Sequence, residues 1–349
     1  MGIRIALDAM GGDKGPEELV TGAVRAAIET GYEVVMVGDE KRLGSALARH
    51  EGKRAVIEIV HTSQTVLMDE SPFDAIRKKK DSSIVVAFEL LKQGRVDAVV
   101  SAGNSGATMA AALKSMGKLS GVSRPGIANV FPTLKKPLVM MDVGANVDCR
   151  PQHLFEFGLM ASAFAKDLFG NEHPRIGLLS IGEEGGKGNA LVRKSHALFR
   201  HSSLNYVGNV EGRDTFMGDV DVIICDGFVG NVCLKLSEGL AEALSEMLQD
   251  EIAKTFQAKL GYLLAKKAFK NFRKRVDYAE YGGAPLLGLK GTSIICHGRS
   301  NATAIKNAIR MAGELVQRKV NEHIEATLAD GVSTVYPHEQ AGADEGMTP

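Results

Sequence analysis

Residues 3–30 read IRIALDAMGGDKGPEELVTGAVRAAIET. After Arg4 the run over 5–9 has no polar residue but Asp8, which suits a strand buried on both faces. Gly11-Gly12-Asp13 follows as a turn, and a helical pattern fills 16–30. Strand, glycine turn and helix make the repeating unit of an open α/β sheet, and the rest of the chain repeats it. Further strands are expected at 33–37, 55–61, 98–101, 138–143, 176–181, 206–210, 222–225 and 293–297. Helices are expected at 41–50, 74–93, 107–118, 153–169, 190–201, 232–256 and 301–328. The fold class predicted is a three-layer α/β/α arrangement with a mostly parallel sheet and two lobes around a central crevice. No linker rich in Pro, Gly or Ser interrupts the pattern. We therefore expect a single α/β catalytic domain over 1–335, with an amphipathic helical protrusion at about 250–280. An acidic, frayed tail is expected at 336–349.

Composition narrows the class. The chain has 349 residues, 42 Lys plus Arg against 42 Asp plus Glu, and 44% hydrophobic residues, so it is neither disordered nor basic. A neutral chain argues against a dedicated nucleic-acid binder. Cys149, Cys225, Cys233 and Cys296 form no C-x-x-C pair and read as buried thiols in a reducing compartment. Asp8 interrupts the N-terminal apolar run too early for a secretory core, and Ala6 breaks the myristoylation pattern. With no apolar run of bilayer length, the expectation is a cytoplasmic protein whose membrane contact is peripheral.

The 39 glycines concentrate where strands end. Gly11-Gly12-Asp13, Gly103-Asn104-Ser105-Gly106, Gly144-Ala145-Asn146, the stretch 182–189 with Lys187, Gly188 and Asn189, and Asp226-Gly227-Phe228-Val229-Gly230-Asn231 each follow a predicted strand. In a parallel sheet these loops share one side, the side that holds ligands. Glycine permits close backbone approach, a helix N-terminus favours an anion, and Asn adds neutral donors. The ligand implied is a small anion, most simply phosphate.

Other chemistries lack their motifs. No G-x-G-x-x-G follows a strand, so a dinucleotide fingerprint is missing. Gly186-Lys187 precedes Gly188 where a P-loop needs Ser or Thr, which discounts ATP and GTP. There is no G-x-S-x-G elbow, and Ser105 has no evident His/Asp partner. Asp8, Asp13, Asp142, Asp148 and Asp226 are single carboxylates on different loops, better suited to caps and loop hydrogen bonds than to a metal. No cofactor is expected.

Several residues carry two readings. Lys187 is either a phosphate ligand or a solvated lysine. Asn189 and Asn231, after glycines at predicted helix starts, are caps or oxyanion donors. Arg213 is a second phosphate ligand, or a partner of Asp214 or Glu211. His297, at a strand end, is structural or catalytic; His153 reads as structural. Residues 252–276 hold eight Lys/Arg and no Asp/Glu, with Ile252, Phe256, Leu260, Leu263 and Leu264 interleaved. This basic amphipathic stretch reads as a surface for a membrane or an acidic partner, or as a solvated face packed on a dimer mate.

Taken in order, these motifs resemble the PlsX phosphate acyltransferase family. The residues that carry the resemblance are Leu7-Asp8-Ala9-Met10-Gly11-Gly12-Asp13, Ser101-Ala102-Gly103-Asn104-Ser105-Gly106-Ala107 and Met141-Asp142-Val143-Gly144-Ala145-Asn146. Lys187-Gly188-Asn189, Gly208-Asn209-Val210-Glu211, Asp226-Gly227-Phe228-Val229-Gly230-Asn231-Val232 and Tyr281-Gly282-Gly283-Ala284 continue it, so that it runs from about residue 3 to about residue 320. The resemblance implies transfer of a fatty acyl chain from acyl carrier protein to inorganic phosphate, without nucleotide or metal. The acyl phosphate would pass to a glycerol-3-phosphate acyltransferase in phospholipid synthesis. It also implies a homodimer, peripheral membrane association, and a fold like the isocitrate/isopropylmalate dehydrogenases and phosphotransacetylases.

On both lines of reading together, the catalytic candidates are Lys187, Asn189, Asn231 and His297. The substrate-binding candidates are Asp8, Gly11, Gly12, Asp13, Gly103, Asn104, Ser105, Gly106, Asp142, Gly144, Asn146, Arg213, Asp226, Gly227, Gly230, Gly282 and Gly283. Lys254, Lys259, Lys266, Lys267, Lys270 and Arg273 are the candidate contacts to carrier protein or membrane. The chain departs from the family pattern at Glu183, where Thr is usual, and at Val229, which also replaces a Thr.

Overall fold

The computed structural model describes residues 2–50, 55–276 and 278–335; the expected tail at 336–349 lies outside them. The chain divides into two compact units, Met1–Gly117 with Val229–Arg318, and Lys118–Phe228 with Lys319–Pro349. Each has its own run of paired strands and its own helices.

The first unit opens with β1 (Arg4–Asp8), α1 (Pro16–Thr30), β2 (Glu33–Gly38), α2 (Glu40–Ala48) and β3 (Ile57–His61), followed by α3 (Pro72–Lys78), α4 (Ser83–Lys92), β4 (Ala98–Ser101) and α5 (Ser105–Met116). The second unit contributes β5 (Gly126–Phe131), β6 (Leu138–Met141), α6 (Pro151–Phe169), β7 (Ile176–Leu179), α7 (Ala190–Arg200), β8 (Tyr206–Val210) and β9 (Val222–Ile224). Then come the long α8 (Gly227–Lys254), α9 (Phe256–Val276), β10 (Ala284–Leu287), β11 (Thr292–Ile295), α10 (Ala302–Gln317) and α11 (Val320–Val335).

In the first unit the strand order is β3-β2-β1-β4-β11-β10, parallel except for β10. The central strands are apolar and buried on both faces, as parallel strands covered on both faces must be. α1 and α10 pack together on one face, while α4 and α5 cover the other, so the unit has three layers. Helix α1 starts on Pro16, has Glu17 and Glu18 at its positive end, and stops at Gly31 in the left-handed conformation (φ 73°). Gly22 lets α1 close on α10: a Cβ there would lie 2.6 Å from Ile305 Cβ. In the second unit β6-β9-β7-β8 are parallel and β5 is antiparallel to β6. Helix α6 is its buried centre, packed on β6, β9, α7 and α11.

Nine expected strands form, with ends shifted by at most two residues. Two strands escape the periodicity argument. β10 contains Pro285, which normally argues against a strand, and β5 starts on Gly126 and carries Asn129. Two expected helices are split. Residues 74–93 break because Gln64 bridges to Ser82 and Lys79 is drawn to Glu70 (2.6 Å) and to the Thr65 carbonyl (2.8 Å). Residues 301–328 break at Lys319, which takes a positive φ of 54°. The basic stretch is helical, as α9; the Arg273 side chain lies outside the described residues. No described helix is long and apolar enough to cross a membrane.

Candidate active-site loops

In the first unit the ends of β1, β4 and β11 are in register, Asp8 beside Ser101 and Ser101 beside Ile295. Ser101 Oγ donates to Asp8 Oδ2 at 2.8 Å, and Gly103 N–H donates to Ser101 Oγ at 3.1 Å. A Cβ on Gly11 would meet Gly103 N at 2.7 Å and Asp8 Oδ2 at 2.9 Å, so only glycine lets the two loops touch. Burial pushes the Asp8 carboxyl above the usual carboxylate range, against hydrogen bonds from Ser83, Ser101, Met10 and Gly11. Beside it lies a cavity of about 10 Å³, lined by Asp8, Ser83, Gly103, Asn104 and Thr108 among others. That volume suits one water, not a phosphate.

Asn104 caps α5: its Oδ1 accepts from Ala107 N–H at 2.9 Å, while Nδ2 donates to the carbonyls of Met68 (2.9 Å) and Glu70 (3.2 Å). Both ends of the amide are thus engaged. Ser105 is exposed at the first turn of α5, and Gly106 abuts Pro72. Gly12 (φ +90°) and exposed Asp13 close against Gly298: Asp13 N–H donates to its carbonyl at 2.8 Å. Gly282 and Gly283 are packing glycines, pressed on the Asn307–Ala308 backbone and on Ile294 and Ile295.

His297 follows β11. Its Nδ1 accepts from Arg299 N–H at 3.2 Å. Burial lowers its pKa, helped by Lys235 and Arg299 and opposed by Glu238 and Asp13. A neutral ring with Nδ1 accepting carries its hydrogen on Nε2. Asn231 does not cap a helix; α8 begins four residues earlier, at Gly227, and Asn231 is exposed on its first turns. Helical spacing places it on the same face as Lys235 and Glu238, the two residues of α8 that act on His297. Gly230 is buried in the same turn.

The second unit holds two clusters. Asp142, just past β6, is fully buried and accepts five hydrogen bonds: from Ile127 N–H (3.1 Å), Gly144 N–H (3.1 Å), Ala145 N–H (3.0 Å), Asn146 N–H (2.7 Å) and Asn146 Nδ2 (2.9 Å). Burial still raises its pKa. Asn146 accepts in turn from Gly227 N–H at 2.8 Å, tying the loop after β6 to the start of α8 beside Asp226. A Cβ on Gly227 would lie 2.9 Å from Asp142 Oδ2.

The other cluster is the loop between β7 and α7. Asn189 caps α7, its Oδ1 accepting from Val192 N–H at 2.9 Å, which leaves the Nδ2 group for other partners. Gly188 has φ +95°, and its carbonyl accepts from Arg193 at 2.5 Å. Lys187 is exposed and forms no ion pair among the described residues. Arg213 is held among carboxylates, 3.2 Å from Glu211, 3.7 Å from Glu183 and 3.9 Å from Asp214. Among the described residues no three His, Cys, Asp or Glu gather as metal ligands do.

Sequence reasoning did not single out Ser83 or Arg193 and named Asn209 only within the 208–211 motif; Ser83 reaches Asp8 from α4, Arg193 bonds back to Gly188 from α7, and Asn209 reaches Glu184 from β8.

The loops can now be set beside known proteins. A family model described as fatty acid synthesis protein matches residues 3–323. A phosphate acyltransferase of Nitratidesulfovibrio vulgaris is 56% identical over 321 residues, covering 92% of this chain and 93% of that protein. Among solved structures, a phosphotransacetylase from Streptococcus pyogenes aligns with TM-score 0.60 at 18% identity, over 90% of this chain and 94% of that one. A structure described as a 4-hydroxythreonine-4-phosphate dehydrogenase, from Salmonella typhimurium, aligns with TM-score 0.52 at 17% identity, over 90% and 99%. At such identities the two structures establish the fold alone, the α/β class shared by phosphotransacetylases and dehydrogenases.

Proposed function

This chain belongs to the PlsX family of phosphate acyltransferases, enzymes of fatty acid and phospholipid synthesis, and from that premise we propose that it converts acyl-acyl carrier protein and inorganic phosphate to acyl phosphate and free carrier protein. A phosphate oxygen attacks the thioester carbonyl directly, with no covalent acyl-enzyme. The observation that carries this reading is the loop 182–189. It presents an exposed lysine with no carboxylate partner among the described residues, beside a helix N-terminus whose capping Asn189 keeps its amide NH₂ available.

Lys187 holds the phosphate as a flexible positive charge. The tetrahedral intermediate carries an oxyanion, which needs preorganised donors. In the second unit Asn189 Nδ2, beside Lys187, is the group suited to that duty; in the first unit the candidates are the Asn231 amide and His297 Nε2–H, since Asn104 is already committed to its cap and to the 68–70 carbonyls. The leaving thiol is acidic enough to depart as thiolate, so a neutral His297 suffices. Asp8 and Asp142 keep the phosphate-facing loops in shape rather than touching an anion, since a carboxylate would repel it. No cofactor takes part.

Exposed Leu236, Leu240, Leu244 and Leu248 stripe α8 at four-residue spacing, which suits a second copy of the chain. On α9, exposed Leu260, Leu263 and Leu264 lie among Lys259, Lys266, Lys267 and Lys270, which suits an anionic membrane surface or the acidic carrier protein. The product then goes to a glycerol-3-phosphate acyltransferase.

The test uses labelled phosphate and palmitoyl-acyl carrier protein, without nucleotide. A lipid-soluble labelled product that hydroxylamine converts to a hydroxamate is expected. Lys187→Ala should raise KM for phosphate ten- to a hundredfold, about the worth of a charge-assisted contact. Folded protein that yields no acyl phosphate refutes the reading.

A further inference from the structure

The loop 182–189 is braced from below by side chains outside it. Asn209, in β8 and only 5% exposed, donates from Nδ2 to the Glu184 carbonyl at 3.0 Å. Lys187 N–H donates to the same oxygen at 2.9 Å, so both of its lone pairs are used. The Glu184 peptide cannot rotate without losing one bond or the other. On the far side of the amide, the Tyr206 hydroxyl approaches Asn209 Oδ1 at 3.5 Å and His196 Nδ1 at 2.7 Å. Burial pushes the Tyr206 phenol up, so it stays protonated. An O–H facing Oδ1 and a carbonyl facing Nδ2 fix which way the amide points; the flipped amide would set two oxygens against each other. Tyr206 is itself stacked on Phe199 (5.1 Å between centroids), and the His196 ring packs under Gly185, 2.8 Å from where a Cβ would be.

We propose that Asn209 is a positioning residue for the phosphate site. Through the Glu184 carbonyl it fixes the turn that ends in Lys187, and Tyr206 and His196 fix Asn209. This rests on the reading of Lys187 as the phosphate ligand. The bond is part-buried, with Asn209 only 5% exposed and Glu184 exposed, so its loss leaves the carbonyl open to water and the turn without its brace. Asn209→Asp is the more severe change, since it sets a carboxylate oxygen against the Glu184 carbonyl. Tyr206→Phe is the mildest for the loop, because it leaves the bond from Asn209 to Glu184 in place and removes the long contact that orients the amide, together with the 2.7 Å bond to His196.

Three readouts separate positioning from mere support of the fold. In Asn209→Ala, KM for phosphate should rise about fivefold, by the worth of one hydrogen bond. KM for the acyl donor should stay within twofold of wild type, and amide hydrogen exchange in 182–189 should quicken without a general rise across the second unit. The order of phosphate KM should be wild type, Tyr206→Phe, Asn209→Ala, Asn209→Asp. In a Lys187→Ala background, Asn209→Ala should add little to the phosphate KM. Unchanged exchange in the loop overturns the proposal. So does a rise in both KM values together with faster exchange throughout the unit, which would mark a structural residue. If the wild type makes no acyl phosphate, the reaction assignment falls, and the exchange of the loop alone then decides whether Asn209 holds it.

Discussion

Asp8 and Asp142 invite comparison because the two units use them alike and surround them differently. Each stands at the carboxyl end of a parallel strand, each is buried, and each has a glycine against its Oδ2, Gly11 of its own loop in one unit and Gly227 of another loop in the other. Asp142 accepts five hydrogen bonds, four of them from backbone N–H groups. Asp8 is held by the Ser101 hydroxyl at 2.8 Å, more weakly by Met10 N–H at 3.4 Å, and by Ser83 and Gly11, and a water-sized cavity adjoins it. The difference shows one device at two degrees of closure. Asp142 is a buckle that folds its own loop into a fixed shape. Asp8 is a lighter tie between the ends of β1 and β4, with polar space left over.

The largest effect should come from opening the tighter buckle. Asp142→Ala strands five donors, several of them beyond the reach of water, and should cost about 4 kcal/mol by urea unfolding. Asp8→Ala strands fewer and should cost about 2 kcal/mol. Equal losses would erase the distinction. Alanine at Gly227 or Gly11 should come next. Each Cβ would press on backbone as well as on the carboxylate, and about 1–3 kcal/mol is expected at both sites.

The pH dependence follows from the sign of the shifts. Both carboxyls titrate above their ordinary value of 3.8. The folded state therefore binds these protons more tightly than the unfolded state. The stability this gives is fully present below the ordinary value and is lost as pH rises through the raised one. Asp8→Asn keeps a neutral group of the same shape and abolishes that titration. Relative to the variant, wild type should thus lose stability as pH climbs from about 4 toward neutrality. A pH-independent difference between the two would contradict the shift at Asp8.

The smallest effect concerns Cys149, whose thiol is pushed up to about 12, first by burial and then by the charges of Asp142 and Asp226. At neutral pH it should resist iodoacetamide, followed by mass spectrometry of the peptide. Asp142→Asn should speed the labelling if Asp142 is charged in the native protein.

How much of this was legible in the sequence follows from distance along the chain. Residues 3–30 announce strand, loop and helix because every cue lies within one turn of the next. The same locality placed Asn189 as a cap and the stretch 252–276 on a helix. Asp142 read as a ligand candidate because its donor Ile127 lies on a strand hidden behind Gly126 and Asn129. The two acceptors of the Asn104 amide, the carbonyls of Met68 and Glu70, belong to a loop some 35 residues earlier and leave no local mark in the sequence. Asn231 looked like a cap because the glycines before it suggested a later helix start, yet Gly227 already belongs to α8. For Asp142 and Asn104 the missing information was a long-range partner, which neither propensity nor periodicity records; for Asn231 it was a helix boundary that the glycines disguised.

The central claim is direct transfer of the acyl group to phosphate without a covalent acyl-enzyme. Its most direct test mixes the enzyme with a small excess of acyl-acyl carrier protein in phosphate-free buffer and follows release of the carrier thiol. We predict no release until phosphate is added, and then release matched by acyl phosphate. A burst of thiol equal to the enzyme present, before any phosphate, would contradict the account.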